Sequence, residues 1–287
     1  MYPESVSLYI AAALNVLLGL LVFYRRYKEA YGWFFIVTLA FVAVWAVGDV
    51  MLLSTHDSGA LGVAERLFYF GPMVIPVSIL FFGLAYPSRG VKPVWLVIGV
   101  AWLLSAGTPL LVDPHLIIKS VTIGHPFNTP NPSPPGFVLY TLYFSVTFIA
   151  AYAAVFFSYR AERDTLAKVQ LRYTLIGLLS ASIPALITNL SLPLIGHGGF
   201  IWLGPLFTTA FVMAIGLSIV QHKMFDIRLV IARSIGYFLS LVFVGVVYGL
   251  IVFGFGGLAL GLHFSAGSQF YLAIVAAVTG LSFARLK

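Results

Sequence analysis

The sequence predicts an all-α polytopic transmembrane helix bundle of about nine spans, and three observations predict it. Hydrophobic residues make up 61% of the 287 positions and charged residues only 9%, too little polar surface to cover a soluble fold of this length. Apolar runs long enough to cross about 30 Å of hydrocarbon, roughly 20 helical residues each, recur along the whole chain. Of the 16 Lys and Arg residues, 14 fall in alternate gaps between those runs. The runs are continuous rather than alternating, which selects helices over a β-barrel, because a helix satisfies its backbone polar groups within one segment.

The spans are predicted near residues 6–24, 31–53, 63–85, 93–111, 137–159, 170–190, 200–220, 234–258 and 268–284. The first follows Glu4 and precedes Arg25, Arg26 and Lys28, the reverse of a cleavable signal peptide. It is therefore expected to stay, with the amino terminus outside. In that orientation the inner gaps hold Arg25, Arg26 and Lys28, then Arg89 and Lys92, then Arg160, Arg163, Lys168 and Arg172, then Lys223, Arg228 and Arg233, and finally Arg285 and Lys287. Only Arg66 and Lys119 remain outside. Lys and Arg accumulate in cytoplasmic loops, so the carboxyl end is expected in the cytoplasm, and the net charge of +7 reads as a topology signal rather than a nucleic-acid footprint.

The longest gap, 112–136, reads VDPHLIIKSVTIGHPFNTPNPSPPG. Its proline cluster excludes a hidden helix, so it is expected to form an outer loop or lid. The other gaps are short, which places consecutive helices as antiparallel neighbours in one bundle. A weak internal echo links GPMVIPVSILFFGL from Gly71 with GPLFTTAFVMAIGL from Gly204. Two readings stand: a parallel duplication of the transporter kind, or two prolines that each open a helix near the outer surface.

Chemistry is sparse. With no cysteine, disulfides, thiolate metal sites and cysteine nucleophiles are excluded. No Gly-rich phosphate loop, HExxH or GxSxG motif occurs, no cluster of catalytic groups is visible, and no cofactor is implied. Asp49 is the one acid expected well inside a span, and a carboxylate at that depth needs a partner. Arg66, beside Glu65 at the start of the third span, lies at comparable depth and is expected to pair with it. That pair either pins two helices or takes part in ligand or proton binding. His56, His115, His125, His197 and His263 all fall in outer gaps, near Asp57, Glu65 and Asp113. They fit a metal or acid-sensing role, or they are neutral enough to be tolerated where Lys and Arg are disfavoured. Asn15, Asn189 and Gln269 are expected to hydrogen-bond between helices.

From residue 218 the chain reads SIVQHKMFDIRLVIARSIGYFLSL. Ile227, Val230 and Ile231 suit the membrane interface while Lys223, Arg228 and Arg233 suit phosphate head groups; the segment is either an interfacial helix joining two spans or a simple charged loop. Phe225, Asp226, Ile227, Arg228, Val230, Ile231 and Arg233, with the Ala-Tyr-Pro-Ser turn at 85–88, resemble the N-terminal membrane module of bacterial sensor histidine kinases with a seven-helix sensory region. The resemblance implies a sensory core over 1–220 and, over 221–287, a signal-transmission connector followed by two more helices that lead to a cytoplasmic output domain. It also implies a bacterial cytoplasmic (inner) membrane location, a homodimer, a kinase domain in cis and a response regulator as partner, with no nucleic acid bound. The sequence stops at SFARLK, where such a protein would continue into its kinase, so no phosphotransfer is expected from this stretch itself. His222 lacks the His-Glu context of a phosphoacceptor. The signal is a small apolar molecule, a peptide or the state of the membrane. A secondary transporter or channel subunit is the alternative, for which Pro76, Pro184 and the Gly-Pro echo are possible helix breaks.

Overall fold

The computed structural model describes residues 3–26, 28–55, 57–87, 90–123 and 128–222. The expected eighth and ninth spans and the connector from Phe225 to Arg233 lie outside the described residues. Eight α-helices follow in order: α1 (Pro3–Arg26), α2 (Ala30–Ser54), α3 (Ser58–Ala85), α4 (Pro93–Val112), α5 (Pro134–Ala161), α6 (Thr165–Leu186), the short α7 (Leu192–Leu194) and α8 (Leu203–His222). A π-helical turn at Ile187–Ser191 joins α6 to α7, so the segment Thr165–Leu194 runs as one span. Among the described residues six helices are long and apolar enough to cross a bilayer, and α8 contributes a shorter apolar stretch, Leu203–Ile215. Each of the first seven expected spans thus coincides with a helix.

The gaps explain where the helices end. Asp57 caps α3, its carboxylate accepting from the Ala60 backbone N–H at 2.8 Å, and Asp164 caps α6 in the same way through Ala167 at 2.7 Å; both satisfy orphan donors of a first turn. The Asp57 cap starts α3 earlier than hydropathy suggests, so Glu65 stands about two turns into the helix rather than at its start, and it is buried. Pro72 and Pro76 lie within α3, so the expectation that Pro72 opens a helix is corrected, whereas Pro205 does stand in the first turn of α8.

Small residues set the packing. The most extensive pair is α2 with α3, and glycines on both helices let the backbones meet. A Cβ on Gly48 would lie 2.6 Å from the Phe68 backbone nitrogen, and one on Gly71 would lie 3.0 Å from that of Trp45. In lipid, helices gain little from hydrophobic burial against one another and associate by such close approach. By contrast α4 stands at the periphery: Gly99 and Gly107 receive the rings of Phe81 and Phe70 from α3, while Val97, Ile98, Leu104 and Val112 are exposed. A belt of exposed apolar side chains also runs along α1 and α5, as expected when hydrocarbon is the solvent.

Between α4 and α5 the described residues hold no α-helix. They form a 3-10 turn (Pro114–Leu116) and a two-stranded antiparallel hairpin, β1 (Ile118–Thr122) and β2 (Thr129–Pro132). Asn131 bridges the strands by donating to Ser120 Oγ at 3.2 Å and Thr122 Oγ1 at 2.8 Å. Asn128 anchors the hairpin to the bundle: its side-chain amide donates to the carbonyls of Leu52 at 3.0 Å and Thr55 at 2.7 Å, and its backbone N–H to Leu53 at 3.4 Å. These are carbonyls at the end of α2 that the helix itself leaves unpaired. At the opposite end of the bundle, which carries the basic gaps, the Tyr86 hydroxyl donates to Gln170 Oε1. Burial raises the Tyr86 hydroxyl well above the usual tyrosine range, keeping it a neutral donor.

Asn128→Ala should lower stability by about 1–2 kcal/mol, the cost of leaving helix-end acceptors without their donor, and should speed proteolysis between α4 and α5. Thermal unfolding and limited proteolysis in detergent check this; unchanged values in both would show that the hairpin is held elsewhere.

Candidate functional site

Five helices supply one face each to an interior cavity of about 60 Å³ in the middle of the bundle. Thr38, Val42 and Trp45 come from α2, and Phe68, Pro72, Ile75 and Ile79 from α3, spaced by three or four residues as one helical face requires. From α5 come Tyr140, Phe144 and Phe148, one per turn; their rings, extended by Tyr152, form a ladder with centroids 6.2, 5.0 and 5.6 Å apart. The span from Thr165 to Leu194 adds Leu178, Ser182 and Asn189, and α8 adds Thr208 and Phe211. The surface of the cavity is almost wholly hydrocarbon, since its hydroxyls are spent elsewhere. Thr38 Oγ1 and Ser78 Oγ share a hydrogen bond at 2.8 Å, Tyr152 and Ser182 hydroxyls are bonded, and Tyr140 donates to the Tyr69 carbonyl at 3.4 Å.

Toward the hairpin end the polar groups are not paired off. Trp45 Nε1, Asn189 Oδ1, Asn15 Oδ1 and both carboxylate oxygens of Asp49 are buried without a hydrogen-bond partner. Native interiors leave few such groups, and each costs free energy in a low-dielectric setting. They are close neighbours in part: a Cβ on Gly204 would lie 2.2 Å from Asn189 Nδ2 and 2.5 Å from the Trp45 ring. Gly71 and Gly204, the two glycines of the Gly-Pro echo, therefore both flank Trp45, the first at its backbone and the second at its indole. Asn189 is carried on the π-helical turn, a geometry that widens one turn and concentrates at functional sites. Asn15 meets α8 by donating to Thr208 Oγ1 at 3.4 Å, the interhelical bond expected of it; Gln269 lies outside the described residues.

The expected Asp49–Arg66 pair is not made. Arg66 Nη1 donates to the Gly62 carbonyl at 2.9 Å and Nε to the Leu111 carbonyl at 2.8 Å, so the guanidinium caps the end of α4, where unpaired carbonyls and the helix dipole favour a cation. Asp49 is fully buried and unpartnered instead. Depth along two helices, which is all that hydropathy offers, did not reveal that Arg66 faces α4. Glu65 is buried within electrostatic reach of His115 and Arg66. His115 is exposed in the 3-10 turn, its backbone N–H donating to the Asp113 carboxylate at 2.9 Å, and His197 is exposed beyond α7. Among the described residues no group of three His, Asp or Glu side chains converges as a metal site would require. His56, His125 and His263 lie outside the described residues.

Sequence reading missed the cavity. Its signal was present in the four-residue spacing of Tyr140, Phe144, Phe148 and Tyr152, but a helix that is apolar all round gives no contrast between its inward and lipid-facing sides.

A bundle of seven largely apolar helices around an apolar interior cavity defines a multi-pass membrane protein. Over residues 7–228 the chain matches the family described as the N-terminal 7TM region of histidine kinase, and it belongs to that family. No curated protein matches it.

Because Asp49 and Arg66 share no contact, the changes Asp49→Ala and Arg66→Ala should add in thermal stability to within about 0.5 kcal/mol. A double-mutant cycle in detergent measures this, and a coupling above about 1 kcal/mol would restore the ion pair.

Proposed function

We propose that this chain is the signal-receiving membrane module of a two-component sensor histidine kinase, acting on a kinase domain carried by the same full-length protein. The observation that carries the reading, beside family membership, is the juxtaposition of an apolar cavity with buried polar groups that have no partner. A fully paired interior has one favoured packing. Here Trp45 Nε1 and Asn189 Oδ1 lack partners at a junction of α2, the π-helical turn and α8, and Asp49, one turn along α2 from Trp45, also lacks one, so a second arrangement that satisfies them would gain hydrogen bonds that this one leaves unmade. A signal that fills the cavity, or a membrane state that presses on its walls, would bias that equilibrium.

In this reading the hairpin faces the outside and the basic end the cytoplasm of a bacterial inner membrane, because Arg26, Lys28, Lys92, Arg160, Arg163, Lys168 and Arg172 all lie at one end of the helices and Lys and Arg are retained on the cytoplasmic side. Two further spans after α8, a homodimer and the segment from Phe225 to Arg233 as transmission element complete the proposal. Transport draws support from the π-helical turn and Pro184, yet no acid, histidine, lysine or arginine lines the described cavity with which to couple an ion.

Ala181→Phe, which adds a ring at the cavity wall, should shift basal autophosphorylation of the full-length kinase in lipid and abolish its response to signal. Arg228→Glu and Arg233→Glu should shift basal activity while changing signal affinity only a few-fold, the range of a coupling of about 1–3 kcal/mol. Unchanged phosphorylation in all three, or a solute flux that Ala181→Phe removes, would replace the sensor by a transporter.

Single-cysteine labelling placed after Tyr24, Tyr86, Tyr159 and Gln221 should report the cytoplasm at every site. Outside accessibility at two of them would overturn the orientation.

A further inference from the structure

The peripheral helix α4 leaves a second space that the sensor reading does not use. It docks on α3 through Gly99 and Gly107 and reaches α5 through Trp102, whose indole N–H donates to Thr147 Oγ1 at 2.9 Å and whose ring stacks on Tyr143 with centroids 5.4 Å apart. From Trp102 to the hairpin end the two helices enclose a cleft of about 450 Å³. Pro109 from α4 and Leu139, Tyr140 and Val146 from α5 line it, with Leu116 and Ile117 of the 3-10 turn at its hairpin end. The turn sits directly on α5: a Cβ on Gly136 would come within 1.6 Å of the Leu116 carbonyl oxygen, so only glycine permits this closure.

Three observations say what such a cleft takes. Its rim belongs to the lipid-facing belt, with Leu139 67%, Leu142 56% and Val146 55% exposed, side chains that hydrocarbon covers. Its length matches one leaflet: the ten steps from Trp102 to Val112 rise about 15 Å at about 1.5 Å each, half of a hydrocarbon core of about 30 Å. Its hairpin end also has cations. The two Lys and Arg residues that depart from the basic gaps, Arg66 and Lys119, both flank it, Arg66 by its bond to the carbonyl of Leu111, next to the lining residue Leu110, and Lys119 two residues beyond Ile117. Of the nearby acids, Glu65 is buried, and the Asp113 carboxylate is engaged by the His115 N–H.

We propose that this cleft binds an anionic phospholipid from the hairpin-side leaflet, with one acyl chain between α4 and α5 above Trp102 and the phosphate held by Lys119 and Arg66. Tyr140 lines both the cleft and the interior cavity, so an occupying chain bears on a residue that also shapes the cavity. Binding itself stands independently of any kinase output.

The test uses the protein in nanodiscs containing phosphatidylglycerol that carries a photoreactive diazirine near the end of one acyl chain. Labelling should concentrate in 102–117 and 139–146. Ala106→Trp and, as a variant on an exposed position that tolerates bulk, Leu142→Trp should each cut it about tenfold, whereas Leu104→Trp on the lipid-facing side of α4 should not. Arg66→Gln combined with Lys119→Gln should lower retention of phosphatidylglycerol through detergent washing about tenfold, a loss on the scale of one or two charge-assisted contacts. Equal labelling of the exposed face of α1, indifference to both tryptophan variants, or equal retention of phosphatidylcholine and phosphatidylglycerol would each overturn the site. Capture of a second protein copy by α4 in place of lipid would also overturn it, making this face a subunit contact.

Discussion

The closeness of α2 to α3 governs the rest of the bundle. With Gly48 against the backbone of Leu67 and Phe68, and Gly71 against the backbone of Trp45, the two helices approach at a distance that any Cβ would prevent. That approach aligns the inward faces of both helices over several turns and turns the Trp45 indole toward α8, where Gly204 makes room for it. In a bilayer, exclusion from water does not drive helices together, so backbone proximity and dispersion must supply the attraction. At α4 the glycines Gly99 and Gly107 receive aromatic rings of α3 rather than its backbone, and a cleft remains between α4 and α5.

The interior shows two ways of handling polar groups in hydrocarbon. Near the basic end and along α5, hydroxyls are satisfied locally: Thr147 donates to Tyr143 O at 2.6 Å, Ser158 to Gly83 O at 2.6 Å, and Thr38 and Ser78 bond each other. Near the hairpin end, Asp49, Trp45 and Asn189 are left with unmet capacity. A stability-driven interior would replace such groups by apolar residues, which is frequently neutral or favourable. Two of them, Trp45 and Asn189, meet at the π-helical turn, and the proposed sensor role rests on a second packing that would satisfy them.

Span number through α8 and the character of the long gap were legible in the amino-acid sequence because both rest on quantities that sum along the chain. Twenty consecutive apolar residues force a helix in lipid, and Pro130 and Pro132 deny one before α5. Boundaries were less legible: the Asp57 cap extends α3 about a turn before its hydropathic start. The family, too, was legible in the order of spans and the segment that follows α8.

What only the tertiary structure decided was rotation about each helix axis. Hydropathy places Asp49 and Arg66 at similar depth and leaves open which neighbour each one faces; packing turns Arg66 to the end of α4 and Asp49 into the interior. The same ambiguity hid the cavity, because Tyr140, Phe144 and Phe148 are as apolar as the lipid-facing Leu139 and Leu142 beside them. It also hid the role of Asn128, whose partners are backbone carbonyls that carry no sequence signature. The one-dimensional pattern determined that this chain inhabits a membrane and how often the described part crosses it, since transfer into hydrocarbon is a sum over residues. Contacts between helices determined where the cavity and the cleft lie, since those depend on angles that no sum records.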